Sequence, residues 1–150
     1  MRVREVMTRN AICCIRTTSA MNAAGMLRQF NVGILFVVDD PDTGRLMGVV
    51  TDRDLCLHAL GEEHNPSLTT VEDCMTWDPV CCGPETDVRE VLAMMAERQI
   101  HRVPVVDSNK QVQGVVSLTD LIRHGAVNAV AICGALERIA RATETQARVA

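Results

Sequence analysis

Two stretches of the chain carry adjacent thiols, Cys13 and Cys14 in AICCIRT and Cys81 and Cys82 in PVCCGPE, out of seven cysteines in 150 residues. Four thiolates gathered in one place would hold a zinc ion, and an exposed pair would answer to oxidation. The spacing argues against chelation, because zinc ligands normally lie two or more residues apart so that they converge on one tetrahedral ion. Neighbours on a strand point to opposite faces, so only one thiol of each pair can aim at a common site. One cysteine of each pair is therefore expected to pack inward while the other faces a cleft or solvent. Cys56, Cys74 and Cys133 fall in helical patterns, where burial is the expectation for a free cysteine.

Other residue sets carry different chemistry. Thr51 and Asp54 in GVVTDRDL, and Ser117 and Asp120 in GVVSLTDLI, each place a hydroxyl three residues before a carboxylate. His101 and Arg102 set a titratable cation beside a permanent one. The signatures of common enzymes are missing: there is no G-x-S-x-G elbow, H-E-x-x-H helix, Walker loop or G-x-G-x-x-G fingerprint, and His58, His64, His101 and His124 share no motif. These residues read as a site that binds, without an obvious nucleophile or base, and the expectation is a protein that is not an enzyme.

Composition narrows the partners. Hydrophobic residues make up 47% of the chain, enough to fold without disulfides, but only 2% are aromatic (Phe30, Phe36 and Trp77). The core must be built from aliphatic, Met, Cys and Ala side chains, and stacking platforms for single-stranded nucleic acid are scarce. A net charge of −4 with interspersed signs argues against a nucleic-acid surface. The longest apolar run, Ala126 to Leu136, contains Asn128 and falls well short of the roughly 20 residues that span a bilayer. The expectation is a soluble cytoplasmic protein with free thiols, with neither nucleic acid nor membrane as a partner.

The elements that position these residues occur twice. VREVMT recurs as VEDCMT, Met7 falling on Met75 at a shift of 68, and the same shift carries Cys13 and Cys14 onto Cys81 and Cys82, and FVVD onto PVVD. GVVTDRD matches GVVSLTD at a shift of 66, the difference lying in the turn where DPDTGR is longer than SNK. Each copy reads as a short helical turn, a strand (12–15; 80–82), an amphipathic helix, a hairpin (34–38 with 46–50; 103–106 with 112–116) and a closing helix that starts near Thr51 or Ser117. Apolar residues step by three and four through Ala20, Ala23, Ala24 and Leu27, and through Val88, Val91, Leu92 and Met95. Thr18 or Ser19 and Thr86 or Asp87 are the expected helix caps. Trp77 reads as a partly exposed loop residue, and Met26, Met94 and Met95 as core filling.

Strands this short imply two halves that share a core. The ranges are 1–60 for the first repeat, 61–69 for a polar linker broken by Pro66, and 70–125 for the second repeat. The remainder, 126–150, reads as a C-terminal helix with an apolar face (Val127, Val130, Ala131, Leu136, Ile139), interrupted at Gly134 and a candidate dimer or output element.

In this order, and twice over, VREVMT and VEDCMT, HRVPVVD, GVVTDRDL and GVVSLTDLI resemble a tandem pair of cystathionine-β-synthase (CBS) domains, a Bateman module, over roughly residues 1–125. The resemblance implies a mixed α/β (α+β) fold of two β-α-β-β-α repeats packed as a pseudo-two-fold pair, with adenosine compounds such as AMP, ADP, ATP or S-adenosylmethionine bound between the repeats, and a homodimer. In the family the Asp at the position of Asp54 and Asp120 holds the ribose, which suits a carboxylate that accepts from vicinal hydroxyls. Thr51 and Ser117 stand at helix starts that favour an anion, and Arg53 and Thr119 occupy the slot that reaches phosphate. Ile12 and Cys13, and Val80 and Cys81, edge the adenine slot, which Pro104 helps to close. His101 and Arg102 add cations for phosphate, whereas the first copy has Gly33 and Ile34 there, so the two clefts are not equivalent.

These features lead to a regulatory module that senses an adenine nucleotide, AMP or ATP first, with no other cofactor, no metal and an unidentified protein target. An interaction module independent of nucleotide, or one switched by thiol oxidation, is the alternative.

Overall fold

The computed structural model describes residues 1–61 and 64–146, so Glu62 and Glu63 of the expected linker and the last four residues of the expected terminal segment lie outside the described residues. The chain divides into two compact units whose makeup does not follow the repeat boundaries. The first unit holds Ala11–Pro79 and Ser108–Val112. The second holds Met1–Asn10, Val80–Asp107 and the chain from Gln113 onward.

The first unit is built on a four-stranded sheet ordered β1 (Cys13–Ile15), β2 (Ile34–Val38), β3 (Leu46–Thr51) and β4 (Thr76–Trp77), with β1 parallel to β2 and the other pairs antiparallel. Strand β2 is almost wholly buried, while β3 alternates, turning Leu46, Gly48 and Val50 inward. Helix α2 (Ala20–Phe30) starts where the Ser19 hydroxyl accepts the Asn22 N–H at 3.1 Å and stops at Asn31, which takes the left-handed conformation (φ 51°). Helix α3 (Asp52–Leu55) runs on as a π-helical turn over Cys56–Leu60, and α4 (Val71–Cys74) buries Val71 and Cys74. The second half of the linker is bonded in place: the Met21 N–H donates to the Pro66 carbonyl at 3.0 Å and the Ala20 N–H to that of Thr69 at 2.8 Å.

In the second unit, α1 (Val3–Val6), α5 (Val88–Arg98), β5 (Arg102–Val106), β6 (Val112–Ser117), α6 (Leu118–Arg123) and α7 (Ala129–Gln146) surround a core of aliphatic side chains. Asp87 caps α5 by accepting the Arg89 N–H at 2.9 Å. Helix α1 is stitched to the second repeat, its Val3 N–H donating to the Thr86 carbonyl and its Arg4 N–H to the Pro84 carbonyl, each at 3.0 Å. Thr8 and Val115 exchange backbone bonds of 2.9 Å.

The repeats thus trade their leading segments. α1 opens the first repeat yet completes the second unit's core with Val3 and Val6, and α4 and β4 open the second repeat yet complete the first unit with Val71, Cys74 and Met75. Glycine permits the trade at one position in each copy. A Cβ on Gly48 would stand 2.6 Å from the Thr76 carbonyl oxygen, and one on Gly114 would stand 2.4 Å from that of Thr8, so only a bare backbone admits the incoming segment.

Four expectations are corrected. The buried apolar residues form two clusters, one per unit, and not one shared core, because each traded segment brings apolar surface of its own. The strand expected over 80–82 shrinks to one bridge between Cys82 and Val105. The repeat shows why: in the first unit the Phe36 N–H donates to the Ile12 carbonyl at 2.9 Å, whereas Pro104, at Phe36's place, has no N–H for the Val80 carbonyl. Helix α7 passes through Gly134 unbroken, with Ile132, Ala135 and Ile139 as its buried face while Val130 and Leu136 are exposed. Trp77, half-exposed as expected, sits in β4 opposite Gly48 and not in a loop.

Candidate functional site

Each unit brings together a helix start, a strand start and the edge that carries its cysteine pair. In the second unit Ser117 and Asp120 form a capping box, in which Asp120 Oδ2 accepts the Ser117 N–H at 2.8 Å and its hydroxyl at 2.5 Å, while the Asp120 N–H donates to Ser117 Oγ at 3.2 Å. Thr51 and Asp54 form the same box in the first unit, at 2.9, 2.8 and 3.1 Å. Neither hydroxyl has a proton left for a phosphate. Their work is to orient the carboxylates, each of which carries these bonds on Oδ2 and so keeps Oδ1 as an acceptor for a ligand hydroxyl. Asp120 is buried at 8% exposure and Asp54 is half-buried, so neither is the solvated first-turn acid that a helix dipole alone would explain.

The two helix starts are not alike. At α6 the Leu118 N–H donates to the His101 carbonyl at 3.0 Å, a bond that holds His101 and Arg102, both exposed, beside Ser117. With the Asp120 N–H used by Ser117, the Thr119 N–H is left without a backbone or side-chain acceptor among the described residues. At α3 the Asp52 N–H donates to the Gly33 carbonyl at 3.4 Å, and the Asp52 carboxylate, which stands where the second copy has Leu118, takes the Arg53 N–H at 2.8 Å. The first unit therefore offers a carboxylate and a consumed N–H where the second offers two cations and an open N–H.

The strand edges differ in the same sense. The Ile12 carbonyl is taken by Phe36, whereas the Val80 carbonyl accepts no backbone bond among the described residues because Pro104 cannot donate. Pro104 itself is buried, Ile12, Val80 and Cys81 are half-buried, and Cys13, Arg53 and Thr119 are exposed. The sequence singled out these positions but not the consequence of exchanging Phe36 for Pro104. Comparing the aligned copies residue by residue for lost N–H groups would have found it.

The cysteine pairs split as their strand placement predicts, Cys14 and Cys82 buried beside exposed Cys13 and half-buried Cys81. Burial, reinforced by the neighbouring cysteine, pushes the Cys14 thiol up to about 11 and the Cys82 thiol up to about 12, and burial raises that of Cys13. Thiols so placed are protonated near neutrality and poor nucleophiles. Cys74 is buried as expected, but Cys56 and Cys133 are exposed, because the faces of the π-helical turn and of α7 on which they lie have no cover. Among the described residues no three His, Cys, Asp or Glu side chains converge as a metal site, and no helix is long and apolar enough to cross a membrane.

The CBS domain family model matches residues 3–61 and 71–126. An uncharacterised Bacillus subtilis protein, YlbB, is 37% identical over 120 residues, which cover 80% of this chain and 79% of that one. Among solved structures, the CBS domain pair of protein MJ0100 in complex with 5-methylthioadenosine and S-adenosyl-L-methionine is 29% identical, with a TM-score of 0.74 over 83% of this chain and 95% of that one. Hypoxic Response Protein I, solved with two coordinated zinc ions, is 27% identical, with a TM-score of 0.73 over 83% and 98%.

Proposed function

The chain belongs to the CBS domain family, whose domain it carries twice, and from that premise we propose that it is a regulatory module that binds an adenine nucleotide, AMP or ATP, through the residues gathered in the second unit. The observation that carries this reading is the inequivalence of the two helix starts. His101, Arg102 and the open Thr119 N–H form a donor set for phosphate, and at the matching place in the first unit Asp52 would repel it. Asp120, steadied by Ser117, accepts from the ribose hydroxyls through Oδ1. The free Val80 carbonyl accepts from the adenine amino group, with Cys81 and Pro104 beside the ring. Thr51, Arg53 and Asp54 with Ile12 and Cys13 make the poorer counterpart, suited at most to an uncharged adenosine compound.

The ligands held by the MJ0100 pair support an adenosine class for the second unit and leave its phosphates to be tested. On this reading the groups of the second unit bind the nucleotide and carry out no chemistry on it. A thiol switch is the weaker reading because one thiol of each pair is buried and burial also raises the exposed Cys13 thiol.

Titration calorimetry with AMP, ADP, ATP and S-adenosylmethionine is expected to give one site per chain for a phosphorylated ligand. Arg102→Ala and Asp120→Asn should each weaken it about tenfold or more, and Asp54→Asn should leave it unchanged. Heat with none of the four, or a loss on Asp54→Asn alone, defeats the reading.

A further inference from the structure

Helices α5 and α7 of the second unit pack against each other, yet a groove of about 770 Å³ stays open between them. Its lining is short and apolar, with Leu92, Ala93 and Ala96 from α5 and Ala131, Gly134 and Ala135 from α7. A Cβ added at Gly134 would meet nothing within 4 Å. Arg89 to Ala96 on one helix and Ala131 to Arg138 on the other each span about 10 Å at 1.5 Å per residue. None of these residues belongs to the nucleotide site. Two charged residues line the groove, Arg89 and Arg138, both exposed and neither in an ion pair among the described residues. Asn128, also in the lining, spends its Oδ1 on the Ala131 N–H at 2.9 Å. The groove of the first unit, about 380 Å³ between α2 and the π-helical turn, has the opposite sign, since its one charged lining residue is Asp52.

We propose that the groove between α5 and α7 binds a small amphiphile with an anionic head, its tail along Ala93, Ala131 and Gly134 and its head on the guanidinium groups of Arg89 and Arg138. Volume and lining agree with those of small-molecule sites, which measure about 300–1,000 Å³ and are mostly apolar with a few polar groups that fix orientation. The tail is held because Ala93, Ala131 and Gly134 stand exposed, and covering them removes apolar surface from water on both sides of the contact. The head is selected by sign. A cationic head meets two like charges, whereas a carboxylate or a phosphate monoester meets planar forks that pair with either. With Asn128 Oδ1 already used, the orienting contacts fall to the two arginines. A ligand so held touches both helices and fastens α7 to α5.

Titration calorimetry on the full chain, with dodecanoate, dodecyl phosphate and dodecyltrimethylammonium each held below its micelle concentration, is expected to show one site per chain for one or both anions and none for the cation. The tighter anion identifies the head. Arg89→Gln combined with Arg138→Gln should weaken binding about tenfold or more. Gly134→Leu should fill the groove and abolish binding with circular dichroism unchanged, and Asp52→Asn in the first unit's groove should change nothing. No heat with either anion, equal uptake of the cation, affinity that survives the paired arginine variant or Gly134→Leu, or a loss on Asp52→Asn would each overturn the proposal. Binding confined to vesicles of an anionic phospholipid, with no uptake of the free amphiphiles, would overturn it as well.

Discussion

A proline in place of a phenylalanine sets the finest difference between the two halves. Phe36 and Pro104 hold equivalent places, but only Phe36 can donate to the strand edge, so Ile12 is satisfied and Val80 is not. Pro104→Ala should restore that bond, consume the carbonyl and weaken nucleotide binding about five- to tenfold in calorimetry, with unchanged or slightly higher thermal stability. Undiminished affinity would remove Val80 from the ligand's contacts. The hydroxyl positions teach a related lesson. Ser117 and Thr51 look from sequence like phosphate donors, yet each gives its proton to its own aspartate. Sequence places both hydroxyls at helix starts, but only the folded hydrogen-bond pattern shows that their protons are already used.

At the scale of elements, two glycines inside regular structure, one in a strand and one in a helix, have opposite meanings. Gly114 in β6 faces the backbone of the traded α1 segment, so Gly114→Ala should destabilise the fold by about 1–3 kcal/mol, the usual cost of overpacking. Gly134 sits within α7 with nothing within 4 Å of an added Cβ, and Gly134→Ala should stabilise it by up to about 1 kcal/mol. Urea denaturation of the two variants measures both, and equal effects would contradict the assignment. The helix caps were legible beforehand, because Ser19 and Asp87 act on groups two or three residues away. The break expected at Gly134 was not borne out, since packing of Ile132, Ala135 and Ile139 outweighs the modest propensity cost of one glycine.

At the scale of the whole chain, neither unit is a continuous stretch of sequence, and each is completed by the leading segment of the other repeat. Either repeat by itself therefore lacks core residues that the other supplies, and a single calorimetric transition of the whole chain is expected. A nucleotide at 100 times its dissociation constant adds about 2.7 kcal/mol, which should move that transition up by about 5–10 °C. Two transitions of which only one moves would show that the units melt independently.

What the amino-acid sequence determined by itself is the doubled grammar: the shift of 68, the helix starts, the hairpins, and the asymmetry of His101 and Arg102 against Gly33 and Ile34. All of these depend on periodicity or on groups a few residues apart, where the chain constrains itself. Only the tertiary structure decided that α1 and α4 change places, that Cys14 and Cys82 are the buried thiols, that α7 packs along α5, and that the Thr119 N–H and the Val80 carbonyl find no backbone partner among the described residues. Those outcomes are settled by which distant segments fill a given space, a choice that local propensity does not encode. Even so, Gly48 and Gly114 record it in the sequence as the two places where a foreign backbone comes too near for a side chain.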